Sequence, residues 1–226
     1  MEVSEIFIAL DDVVHDEGRR RENMELTREC IVAAADIGVH VVNVSPCPQR
    51  WMPGHVKIPQ EMSDGAAGDM VFDAFDQILP VAESHKVSLA VEGVWGMVAH
   101  DYYTALPLFM RYPSEYLGIN MDPSHGSLCR NDIPWVVKQW GRRIKHCHLK
   151  DSVGTPGRDG DTFLFALLGE GQVDWEAFFA AMQETGCSGC CSVEFESFSC
   201  YNRILKRNML EAARISWNQI QKLIST

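Results

Sequence analysis

Four short stretches place titratable side chains directly behind apolar runs: LAVEG ends at Glu92, GINMDPSHG carries Asp122 and His125, IKHCHLKD carries His146, His148, Lys150 and Asp151, and CSVEFE carries Glu194 and Glu196. Charged groups are costly to bury unless they are paired or bound to a metal, so these endings point to a polar site at the tips of strands. Alternate residues of a strand face opposite ways. That parity sets Ala90 and Glu92 against Leu89 and Val91, and Asn120 and Asp122 against Ile119 and Met121. It likewise sets His146, His148 and Lys150 against Cys147 and Leu149, and Ser192, Glu194 and Glu196 against Cys191, Val193 and Phe195. Each strand therefore has an apolar face suited to packing under helices and a polar face ending in Glu92, Asp122, His148 or Glu194. Three carboxylates and an imidazole make a hard, oxygen-rich set that suits one divalent ion, manganese, magnesium, cobalt or zinc. Singly, each has a plainer reading: a strand-end acid is often a helix cap or a surface group, and a lone histidine is often a satisfied structural residue. Four such endings on successive strands argue for a site. Asp151, Glu196 and His146 read as structural, with His146 holding its neighbours by hydrogen bonds.

The elements that must position these residues alternate in a regular way. Strands are expected at EIFIAL (5–10), HVVNVS (40–45), 87–92, 116–122, 144–149 and within SGCCSVEFE. Helices are expected over 20–37, closed at Gly38, and over 69–85, 101–111, 132–142, 174–185 and 201–223. Strands separated by helices at this spacing imply βαβ units and a parallel sheet, whose sites form at the carboxyl ends of the strands. The loop CPQRWMPGHVKIPQEMSDG is long enough to be a lid over such a site. A second long loop precedes GEGQVDW.

At 226 residues, one domain spanning 1–226 is expected. The formal net charge of −11 argues against a protein that tracks nucleic-acid phosphates. The one dense basic run, Arg19-Arg20-Arg21, reads as a solvated helix start. No stretch is long and apolar enough to span a bilayer, and the N-terminus lacks the flanks of a secretory signal, so a cytoplasmic location without membrane attachment is expected. Of the eight cysteines, Cys187, Cys190 and Cys191 form a C-x-x-C with a vicinal pair, but no second C-x-x-C completes a zinc ribbon. They read as small hydrophobes or incidental thiols.

Taken in order, E-G-V-W-G, D-P-S-H (122–125), H-L-K-D (148–151), G-E-G-x-V-D-W (169–175) and S-V-E-F-E (192–196) resemble the signatures of the xylose-isomerase-like sugar phosphate isomerase/epimerase family. The resemblance implies an α/β fold of the (β/α) TIM-barrel type. It makes Glu92, Asp122, His148 and Glu194 the ligands of one catalytic divalent metal and places His125 beside the substrate. The implied reaction is proton transfer next to the carbonyl of a sugar or polyol ketone through a metal-stabilised enediolate. Glu92 and Glu194 would serve as base and acid. His125 would hydrogen-bond a substrate hydroxyl, and Lys150 would contact a substrate oxygen or form an ion pair with a nearby acid. Trp95 would wall the sugar ring or simply pack, and Arg158 would meet a phosphate or hydroxyl. Hydroxypyruvate isomerases, inosose dehydratases and ketose epimerases share this frame, so an isomerase, an epimerase or a dehydratase fits it.

The family's barrel has eight strands. With Glu92 on the fifth, HVVNVS is the fourth and EIFIAL the third, so the first two β/α units are lacking and about six are present. Six units leave open sheet edges, which are costly. A late-starting gene model, a homo-oligomer that covers the edges, and a reduced closure each resolve this. Two other functions share parts of the pattern: an apurinic-endonuclease-like hydrolase, which needs three metals, further histidines and a basic surface, and a non-catalytic truncated barrel serving as a binding or structural subunit.

Overall fold

The computed structural model describes residues 2–48, 54–156 and 163–224. The chain divides into two compact units, residues 1–120 with 143–146, and residues 121–142 with 147–226. Its strands and helices are β1 (Ile6–Ile8), α1 (Glu17–Asp36), β2 (Val41–Val44), α2 (Asp64–His85), β3 (Ser88–Glu92), α3 (Tyr102–Arg111), β4 (Leu117–Met121), α4 (Pro123–Leu128), α5 (Ile133–Trp140), β5 (Ile144–Leu149), β6 (Asp151–Gly154), β7 (Phe163–Ala166), α6 (Trp175–Glu184), β8 (Cys190–Val193) and α7 (Met209–Leu223). Six strands form one sheet in the order β1-β2-β3-β4-β5-β8, and β6 pairs with β7 antiparallel. The pairs β1–β2, β2–β3 and β3–β4 are parallel, as the alternation of strands and helices requires. Among the described residues, no helix is long and apolar enough to cross a membrane.

In the first unit the strands are apolar enough to be buried on both faces, and Val42, Leu89, Val91 and Leu117 have no exposed surface. α1 and α2 pack on one another, and each buries residues in the core, Ile31 and Ala34 from the first and Ala74 and Phe75 from the second. Gly38 takes φ +78°, the left-handed turn that ends α1 with its N–H on Ala35 O. Gly118 is required for packing: a Cβ there would run into Lys145 Cγ and the Arg143 carbonyl oxygen.

The basic triplet does not lie wholly in solvent. Arg20 is buried: Nε donates to Asp12 O at 3.0 Å, Nη2 donates to Met70 O at 2.9 Å, and Nη1 is paired with Asp73 Oδ2 at 2.7 Å. It therefore ties the chain after β1 to α2. Asp12 itself is buried, accepts the Cys47 N–H at 2.9 Å, and has its pKa pushed up by burial from 3.8 to about 7. Below about pH 4 this carboxyl is protonated folded or unfolded. As pH rises from 4 to 7 the unfolded chain loses the proton first, so the folded state loses stability across that window and does not regain it above. Asp12→Asn keeps the acceptor and removes the titration. The gap in urea stability between Asp12→Asn and the wild type should grow in favour of the variant by a few kcal/mol from pH 4 to pH 8, and a gap independent of pH would refute this.

In the second unit β5 contributes its last residues, and Glu194 N–H donates to Leu149 O where β8 leaves the sheet. α5 and α6 pack together beside the fully buried Val137 and Phe178. All eight cysteines are free. The Cys147 thiol, hydrogen-bonded to Cys191 and buried, is pushed above the usual thiol range. Two expectations need correction here. The second long loop contains the β6–β7 hairpin, whose first strand begins at Asp151 and whose second, FLFA, alternates too briefly to be read as a strand. The expected helix 201–223 is broken: a π-turn at Cys200–Ile204 ends before Lys206 and Arg207, which take positive φ, and Asn208 then caps α7 by accepting the Glu211 N–H.

Candidate metal centre

In the first unit, β3 ends on Glu92, which is buried, and the Asn43 side chain on β2 donates to Glu92 Oε2 at 2.8 Å. The register pairs Asn43 with Ala90 and Glu92 with Asn120. Asn43, Glu92 and Asn120 therefore share one face, as strand parity requires. His146 continues that face. Its Nδ1 lies 3.2 Å from Asn120 Oδ1 and 3.2 Å from Glu5 Oε2, and its Nε2 is 3.2 Å from Ser4 Oγ. These contacts tie it to β4 and to the segment before β1. Trp95, three residues past Glu92, is half-buried against Cys47, Val94 and Met97.

In the second unit, Asp122 directly follows β4 and caps α4, with Oδ1 accepting both the backbone N–H and the hydroxyl of Ser124 at 2.8 and 2.7 Å. Oδ2 is buried and faces the Lys150 ammonium at 3.0 Å. His148 lies on β5 with Nδ1 3.4 Å from Glu194 Oε2. Asp122, His148 and Glu194 each offer one ligand atom, and these atoms lie within 4.8 Å of one another. Two carboxylates and an imidazole brought this close make an oxygen and nitrogen set that fits a divalent ion.

Lys150 occupies the middle of the group. Its buried ammonium stands 2.6 Å from Glu194 Oε2, 2.9 Å from Glu196 Oε2 and 3.0 Å from Asp122 Oδ2. It is also 3.2 Å from His125 Nε2 and 4.7 Å from the centroid of Phe165. An ammonium only donates, so Nε2 is the bare nitrogen of His125 and the ring hydrogen sits on Nδ1. The His125 ring meets Phe165 edge-on at 5.6 Å. Burial pushes the Glu196 carboxyl up, and the Lys150 charge beside it pulls it back down.

Of the residues singled out in the sequence, the second unit thus brings together Asp122, His125, His148, Lys150 and Glu194. Lys150 adopts the ion pairs that were one of its two readings. Arg158 lies outside the described residues, as do residues 49–53 of the expected lid. Two contributors were missed. Asn43 was legible as the one polar residue inside VVNV, on the parity of Glu92. Phe165 carried no signal beyond a short aromatic alternation.

Comparisons with known proteins bear on the family and the fold. A family described as xylose isomerase-like TIM barrel matches residues 7–217. An L-ribulose-5-phosphate 3-epimerase, UlaE, of Shigella flexneri serotype 5b is 23% identical over 185 residues, covering 82% of this chain and 60% of that protein. Among solved structures, the IolI protein crystallised with a zinc atom superposes with a TM-score of 0.75 at 20% identity, covering 98% of this chain and 76% of that one. A D-tagatose 3-epimerase-like protein gives a TM-score of 0.70 at 19% identity, covering 96% and 79%. The chain spans 52% and 60% of the length of two curated relatives that it matches.

Proposed function

Since the chain belongs to the xylose isomerase-like TIM-barrel family, we propose that it is a divalent-metal-dependent isomerase or epimerase of a sugar or polyol ketone, with Glu92, Asp122, His148 and Glu194 holding one ion. The observation that carries this reading is the convergence of Asp122, His148 and Glu194, the first two buried and the third half-buried, with one ligand atom of each within 4.8 Å of the others. Epimerases among the relatives support the substrate class. The ion, when bound, supplies a Lewis acid for the carbonyl and its neighbouring hydroxyl, which lowers the cost of the enediolate left when a proton leaves carbon.

The protein's own groups do the rest. Glu92 and Glu194 stand at the ends of β3 and β8, with β4 and β5 between those strands in the sheet order. For an epimerase, one takes the proton from carbon on one face and the other returns a proton on the opposite face; for an isomerase, a single carboxylate both takes and returns it. A dehydratase would use the same pair to expel water after proton loss. His125 and Lys150 hold substrate oxygens, Trp95 walls the ring, and Arg158 meets a phosphate or hydroxyl. A second copy of the chain covering the sheet edges β1 and β8 belongs to the same proposal.

Elemental analysis followed by deuterium uptake into candidate ketoses in heavy water tests the reading. One ion per chain with uptake at the carbon beside the carbonyl is the expected result. Three ions with cleavage of abasic DNA would make the chain an endonuclease. Neither ion nor exchange would make it a binding subunit.

A further inference from the structure

The Lys150 ammonium touches two kinds of partner. Asp122 and Glu194 are proposed ligands of the ion, whereas Glu196 and His125 are not, and all four lie within 3.2 Å of Nζ. An ammonium at 2.6 Å from Glu194 and 3.0 Å from Asp122 uses oxygens that a divalent cation would need. Two cations a few ångströms apart in a partly desolvated site repel each other strongly. Without some cation, three carboxylates would converge with nothing to neutralise them, which is equally unfavourable.

We propose that Lys150 is the internal counter-cation of the metal-free site: it neutralises Asp122 and Glu194 until a divalent ion arrives, then withdraws onto Glu196 and His125, so that it sets how tightly the ion is held. The inference rests on the metal-dependent reading above, and it differs from a propping role in sign. A lysine that merely positioned the carboxylates would leave them misplaced on removal and weaken the ion. A competing lysine, on removal, leaves the ion held more tightly.

Calorimetric titration of Mn²⁺ into the full-length wild type and Lys150→Met, with melting curves of both with and without Mn²⁺, separates these. The variant should bind Mn²⁺ at least about tenfold more tightly, melt lower than the wild type without metal, and gain more from added Mn²⁺. Equal or weaker binding overturns the proposal while leaving the metal-dependent reading intact. If the wild type binds no Mn²⁺ and Lys150→Met does, competition is supported and the chain as it stands is not a metalloenzyme. If neither binds, both ideas fall. Should Lys150→Met not fold, Lys150→Gln, which keeps a neutral donor, carries the same comparison. Glu196→Gln provides an independent arm: with its retreat removed, Lys150 should hold Asp122 and Glu194 more firmly and weaken Mn²⁺ binding. That effect should shrink in the Lys150→Met background, and an undiminished effect there overturns the link.

Discussion

In protein saturated with Mn²⁺, Glu194→Gln should exchange the proton beside the substrate carbonyl about 10²- to 10⁴-fold more slowly than the wild type. The size follows from the chemistry removed. Glutamine matches glutamate in shape and keeps an oxygen for Lys150, which stands 2.6 Å from Glu194 Oε2, so the packing around β8 has little reason to change. An amide cannot accept a proton from carbon at neutral pH. A neutral ligand also holds the ion less well, so the comparison must be made at Mn²⁺ concentrations shown by titration to fill the variant. A metal-filled Glu194→Gln that exchanges at the wild-type rate would take Glu194 out of proton transfer and leave it a ligand at most. The same logic applies to Glu92→Gln, where Asn43 would still meet the remaining side-chain oxygen.

How far the sequence announced this arrangement depends on which interaction is considered. The alternation of apolar strands and amphipathic helices was legible because a buried strand reads as a short, mostly apolar run, as in Leu89-Ala90-Val91 and Leu117–Met121, with the few polar residues confined to one parity. Parity alone placed Asn120 and His146 on one face and Asp122, His148 and Lys150 on the continuation of it, since side-chain direction in a strand is a property of residue number. Distances between segments far apart in sequence were not legible. That Lys150 would sit among Asp122, Glu194 and Glu196 depends on the lateral placement of β8 beside β5, which no local pattern carries. Arg20 was misplaced for a related reason: its stretch is basic and helical, and only the packing of α1 on α2 reveals that the Met70 carbonyl and Asp73 wait for it. The break before α7 turns on two residues with positive φ, Lys206 and Arg207, whose side chains give no warning of it, although Asn208 with Glu211 three residues on is an N-terminal signal that can be read.

Asp151→Ala should cost roughly 3–5 kcal/mol of stability in urea denaturation of the full chain. Asp151 is buried, and its carboxylate serves as the hub of the GEGQVDW segment. Oδ1 accepts the N–H groups of Ser152 at 2.9 Å and Val173 at 3.2 Å. Oδ2 accepts the N–H groups of Gly169 and Gly171 at 3.0 Å each and the indole N–H of Trp175 at 2.9 Å. The glycines are there because the backbone must close on this carboxylate. Gly169 takes φ +83°, and a Cβ at Gly171 would run into the Asp151 carboxyl itself. Truncation to alanine leaves five donors to find partners. Asp151→Asn should lose less than alanine but still a large share, because one of its two acceptors becomes an NH₂ facing N–H groups. The damage should be local before it is global, with hydrogen exchange accelerating first at the amides of Gly169, Gly171 and Val173 and the Trp175 fluorescence shifting toward that of a solvated indole. A loss below about 1 kcal/mol with those amides still protected would mean that solvent or other backbone satisfies them, and that the turn leading into α6 does not depend on the carboxylate.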